Sequence, residues 1–111
     1  MNNQTNEIKL SCVLDWRSSI VKLSNGTSAI NGVLLTSYGR HQCRFMCSAY
    51  GDMADKLDLV ETGEELYVFG ALYQDTGPGA DGRIQYWTKI RINSFEIVDN
   101  APVNANLTKG V

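Results

Sequence analysis

The sequence predicts an all-β barrel of five strands, with one short helix between the third and the fourth. Apolar and polar residues alternate with a period of two along most of the chain, the period at which strand side chains point to opposite faces. The alternating runs are parted by clusters such as Asn25-Gly26 and Gly77-Pro78-Gly79 that turns favour. One stretch, Asp52 to Val60, departs from that period and sets Met53, Leu57 and Val60 at helical spacing. At 111 residues there is material for a single core and not for two.

Taken in order, residues 1–7 are polar and expected to be disordered, and the folded domain is expected over 8–99. Ile8, Leu10, Cys12, Leu14 and Trp16 form the inward face of a first strand, which makes Trp16 structural. Ser18 to Leu23 continues extended into the turn Ser24-Asn25-Gly26-Thr27, a tight hairpin signal. Ser28 to Ser37 returns, with Gly32 marking a bulge or bend. After Tyr38-Gly39-Arg40, the third strand runs from His41 to Tyr50. Its apolar set is Cys43, Phe45, Cys47 and Ala49, so Arg44, Met46, Ser48 and Tyr50 point the other way. Asp52 stands where a helix N-cap is favoured. Glu65 to Tyr73 is the fourth strand, Gln74 to Gly82 a long glycine-rich turn, and Ile84 to Ile92 the fifth. In that last run Tyr86, Thr88, Ile90 and Ile92 take one face, making Tyr86 a core residue, and Trp87, Lys89 and Arg91 take the other. The tail 100–111 loses periodicity and is expected to be flexible. Three strands, a helix and two strands make the five-stranded Greek-key barrel of the OB-fold, whose face and loops bind oligonucleotides or oligosaccharides.

Net charge is −2, but its distribution is uneven. Asp52, Asp55, Asp58, Glu61, Glu64 and Glu65 face Lys56 alone in one segment, and the remainder carries nine bases and six acids. A binding surface feels that local field rather than the total. No run reaches the roughly 20 apolar residues of a membrane helix, and the start has no secretory pattern, so a cytoplasmic protein is expected. Cys12, Cys43 and Cys47 are expected to be reduced, small apolar residues. On one extended strand His41 and Cys47 would stand about 20 Å apart, too far to share a metal ion. The glycine cluster lacks the Gly-Lys-Ser/Thr ending of a phosphate-binding loop, and His41 has no partnered nucleophile. Neither an enzyme nor a cofactor is expected.

The ordered blocks FMCSAYGDMADKL (Phe45 to Leu57), TGEELYVFGALY (Thr62 to Tyr73) and DGRIQYWTKIRI (Asp81 to Ile92) resemble the bacterial-type single-stranded DNA-binding proteins, over roughly Ile8 to Val98. The resemblance implies an OB-fold assembling into a homodimer or homotetramer that coats single-stranded DNA, or RNA, without sequence preference during replication, recombination or repair. It places Tyr50 at a base-stacking aromatic, Arg44 where many members have another, and Tyr73 where a base often stands. The turn lacks the family's aromatic and lysine residues, and Asn106 to Val111 does not match its acidic, phenylalanine-ended tail, so recruitment of replication proteins is not carried over. The related primosomal proteins of the same fold suggest an alternative, an adaptor at replication forks that works chiefly through protein contacts.

An unpaired strand is held by flat side chains for its bases and cations for its phosphates. The stacking candidates are Tyr50, Tyr73, Trp87 and Tyr38; the phosphate candidates are Arg40, Arg44, Arg83, Lys89 and Arg91. Tyr67 and Phe69 point outward from the fourth strand and are assigned to a subunit interface.

Overall fold

A computed structural model describes residues 4–98. In chain order its elements are β1 (Ile8–Arg17), β2 (Val21–Lys22), β3 (Ser28–Tyr38), β4 (His41–Tyr50), α1 (Asp52–Leu57), β5 (Glu65–Pro78) and β6 (Ile84–Ile97). The sheet order β1-β5-β6-β4-β3-β2 is closed by pairing of β1 with β3, and every pairing is antiparallel except the short parallel one between β4 and β6. With β2 only a two-residue addition, this is a closed five-stranded barrel with one helix, the OB-fold. The tail 100–111 lies outside the described residues.

Inward alternation fills the barrel with Leu14, Ile30, Leu34, Cys47, Leu66, Val68, Ile90 and Ile92, all buried. α1 closes one end by burying Ala54 and Leu57, and Val60 follows them in. The helix is shorter than its spacing suggests, and Gly51 rather than Asp52 occupies the N-cap, at φ 63°. Between Arg17 and β3 only Val21 and Lys22 pair, opposite Ala29 and Ser28. Asn6 precedes the first strand but is held, its side-chain amide donating to the Leu72 carbonyl at 2.7 Å and accepting from the Leu72 N–H at 2.9 Å.

The ladder corrects the sequence expectations at Trp16, Gln74 to Pro78, Tyr86 and Phe45, the first of them by register. Leu14 pairs with Leu34 but Trp16 with Val33, so Asp15 is one residue extra, and the bulge reverses the alternation. Trp16 consequently turns outward and is 52% exposed. Arg17, next in line, turns under the barrel. Its guanidinium donates from Nε to the Val60 carbonyl (2.9 Å), from Nη2 to the Asp58 carbonyl (2.8 Å) and from Nη1 to Asp58 Oδ1 (3.1 Å). Gly32, opposite Arg17, is a close approach and not itself the bulge: a Cβ there would stand 2.8 Å from the Trp16 carbonyl oxygen.

The second correction concerns Gln74 to Pro78, which continue β5 instead of opening a turn. They pair with Thr88 to Ile84, leaving only residues 79–83 as the connection. Weak strand formers are carried there by side-chain pairs, Gln74 Nε2 to Thr88 Oγ1 at 3.1 Å and Lys89 Nζ to Asp75 Oδ2 at 2.6 Å. Six ladder positions from Tyr73/Lys89 to Pro78/Ile84 thus form an arm roughly 20 Å long. The third follows from it. Tyr86 keeps its predicted parity, but the barrel has ended at that level, and the ring is 63% exposed. Phe45, on the part of β4 before Cys47 where no pairing with β6 is made, is also exposed, although its partner Leu34 is buried.

Candidate nucleic-acid interface

On β4 the outward set is Arg44, Met46, Ser48 and Tyr50, since their neighbours Cys47 and Ala49 are buried. β6 lies alongside in parallel, with Ser48 beside Arg91, and β5 follows with Ala71 opposite Arg91 and Tyr73 opposite Lys89. Opposed residues share a face, so Tyr50, Arg91, Tyr73 and Lys89 converge on one outer surface. The Arg91 guanidinium stacks on the Tyr50 ring, 4.8 Å from its centroid, a cation–π contact that fixes both groups. Ser48, buried though it faces outward, shares a 2.6 Å hydrogen bond with the Tyr73 hydroxyl. That bond satisfies a polar group sealed from water and holds the Tyr73 ring in place.

A cleft of about 400 Å³ opens between these rings and the β2–β3 turn, lined by Leu23, Asn25, Thr27, Tyr50, Tyr73 and Arg91. The turn is ordered by its own bonds: Asn25 Oδ1 accepts from the Thr27 N–H at 2.9 Å, and the Leu23 N–H donates to the Thr27 carbonyl at 2.8 Å. The same surface continues onto the arm, where the Trp87 ring packs against Gly77; a Cβ there would stand 3.0 Å from the ring.

The remaining predicted residues are spread wider. Tyr38, 79% exposed, and Arg40 sit at the tip of the β3–β4 hairpin, roughly 30 Å along β4 from Tyr50. Arg83 is at the tip of the arm. Tyr67 and Phe69 face outward on β5 beside Ser11 and Lys9 of β1, away from the cleft. Three of the five predicted phosphate cations already face a carboxylate: Arg44 Nε to Asp15 Oδ2 at 3.1 Å, Lys89 to Asp75 at 2.6 Å and Arg83 to Asp81 at 3.9 Å. The hydrogen bond that the Lys89 ammonium donates to Asp75 raises its pKa, so it stays charged. Sequence reasoning missed Ser48, the turn residues and these acids. Ser48 carried a signal, a hydroxyl at the parity of Tyr50, but its partner is 25 residues away. Of the cysteines, Cys12 and Cys47 are core residues and Cys43 is half-buried.

No protein-family model and no curated protein match the chain. Solved structures do. PriB from Ralstonia solanacearum superposes with a TM-score of 0.65 at 21% identity, covering 86% of this chain and all of that one. The SSB domain of a Synechococcus sp. protein gives 0.68 at 12% identity, over 86% of this chain and 98% of its own. A deletion mutant of the single-stranded DNA binding protein from Thermus aquaticus gives 0.73 at 18%, over 90% of this chain but 44% of its own. The chain thus spans less than half of the Thermus protein. At these identities the likeness establishes the OB-fold, in agreement with the fold that the sequence blocks imply.

Proposed function

We propose that the protein binds single-stranded DNA without sequence preference, coating and protecting it during replication, recombination or repair. The observation that carries this reading is the convergence of Tyr50, Tyr73 and Arg91 around one cleft, continued by Trp87 and Lys89 along the arm. The rings are held before a ligand arrives, one by a guanidinium and one by a buried hydroxyl, so little side-chain freedom remains to be lost on binding. A base stacks on the open face of Tyr50 or on the Arg91 guanidinium plane, and a second on Tyr73. Phosphates are neutralised by Arg91 directly and by Lys89 and Arg44 in exchange for their carboxylates. Nothing in this mechanism alters the bound strand covalently.

Oligomerisation belongs to the same reading, with the outward Tyr67 and the half-buried Phe69 of β5 as the subunit contact. The ion-paired cations favour a second reading, a replication-fork adaptor whose main ligand is protein, because Asp15, Asp75 and Asp81 weaken the positive field a polynucleotide needs. Titrating a labelled oligothymidylate at low and at high salt separates the two. Saturable binding that weakens with salt supports the first. Binding that stays undetectable at micromolar protein in low salt rejects it and leaves the adaptor.

A further inference from the structure

The bulge at Asp15 sets Trp16 on the outer face, and the ladder then carries one row across three strands: Trp16 opposite Val33, and Val33 opposite Met46. Trp16 and Met46 are each about half exposed. Packing does not require the ring there, because the adjoining inward positions are filled by the fully buried Leu14 and Leu34. A half-exposed indole continued by a half-exposed methionine on the outer face is an apolar patch that a ligand can cover.

Two features join this row to the cleft. Met46 lies on β4 two residues from Ser48 and four from Tyr50, all pointing outward, so the apolar row and the cleft share one strand face. Arg44 borders the row on its other side, held by Asp15, the bulge residue itself. A flat ring with a guanidinium beside it, in line with two further rings, suits a polynucleotide better than a second copy of the chain, whose outward aromatics Tyr67 and Phe69 stand on β5. We infer that Trp16, backed by Met46, is a further base-stacking platform, and that the bound single strand runs from the arm across β6, β4 and β3 to β1. The inference rests on the single-stranded DNA reading above, and it extends the contact by two strand spacings, roughly 10 Å, beyond Met46.

The chain has two tryptophans, Trp16 and Trp87, so Trp87→Phe leaves Trp16 as the single indole reporter. That variant is titrated with labelled oligothymidylate, following label anisotropy and indole emission together. Emission should change saturably with the anisotropy midpoint; Trp16→Ala should lower affinity about tenfold, and Trp16→Phe should restore most of it. Rising anisotropy with unchanged emission, or unaltered affinity in Trp16→Ala of unaltered melting temperature, overturns the inference and leaves the cleft reading intact. Emission that responds to protein concentration and not to oligonucleotide overturns it in favour of a second copy. No anisotropy change in the unmodified chain means that the single-stranded DNA reading itself has failed.

Discussion

At the helix end of the barrel, one guanidinium ties β1 to the chain beyond α1 through Asp58 and Val60, over a core whose leucines are fully buried. Among the described residues, the β5–β6 arm meets the barrel at its base, where the Tyr73 hydroxyl bonds Ser48, and no buried side chain lies under its outer part. Past Leu72/Ile90 it is two strands joined by their ladder and by a few cross-strand pairs, with Ile84, Tyr86 and Trp87 in water. β5 and β6 run from one region into the other, so along them the difference is one of covering and not of local conformation. Stability is thereby concentrated in the barrel, and of the residues proposed to meet DNA, Trp87 and Lys89 stand where little of it is at stake, whereas Tyr50, Arg44 and Arg91 stand on barrel strands. An uncovered two-stranded ribbon is marginal by itself; this one persists because its ladder is continuous with the barrel's.

The sharpest way to break that contrast uses one residue type on one strand. Leu66→Ala should cost about 2–5 kcal/mol, and Leu72→Ala, on a side chain 42% exposed, less than about half as much. Urea titrations read both, and similar losses would show that the packed core reaches the foot of the arm. Next in size is a pair of glycines on β5. A Cβ at Gly70 would fall on the Arg91 carbonyl oxygen, which is backbone and cannot step aside without parting β5 from β6. Gly70→Ala should therefore destabilise by roughly 1–3 kcal/mol. Gly77→Ala meets only the Trp87 ring; it should leave the melting temperature nearly unchanged and weaken oligonucleotide binding instead.

The thiols extend the contrast to pH. Burial pushes Cys12 up to about 11 and Cys47 up to about 12, from an ordinary 9.0, and the Cys12 charge adds to the rise at Cys47. With folded values above unfolded ones, this contribution is complete below pH 9 and is lost as pH rises from there toward 11 and 12, at up to about 1.4 kcal/mol per pH unit for each thiol. Chemical denaturation between pH 8 and 10.5 should show the fall, and the Cys12→Ala, Cys47→Ala double variant should flatten it. The smallest effect belongs to the arm. Asp75→Asn removes the carboxylate from Lys89 and should tighten oligonucleotide binding a few-fold, with a melting temperature within a degree or two of the parent, as expected for an exposed pair. Weaker binding would mean that Asp75 orients Lys89 rather than competing for it.

Much of this architecture is legible in the residues themselves. The alternation of Ile8 to Leu14, the Asn25-Gly26 turn and the Cys47/Ala49 parity each specify local geometry without outside help. They suffice for the barrel order and for the outward placement of Tyr50 and Arg44. The bulge is different. One extra residue at Asp15 changes neither composition nor apolar count, so Trp16 reads as core until the pairing partner Val33 is known. Gln74 to Pro78 read as turn because their own strand preference is weak and their support comes from Thr88, Trp87 and Lys89 across the ladder. The carboxylate partners stayed hidden for the same reason, Asp15 being 29 residues from Arg44. What the chain reveals locally is face and period; what it conceals is register, and the candidate cleft depends on register at every contact.

The bulge also constrains how this surface can change. Trp16 faces out and Arg17 turns in because the ladder skips Asp15, so one register sets both orientations. Were Asp15 to pair with Val33, the indole would turn inward opposite Gly32 and the guanidinium would swing away from Asp58 and Val60 in the same step. A face of the barrel and the latch on its helix are therefore inherited as one unit, through the register of β1 on β3.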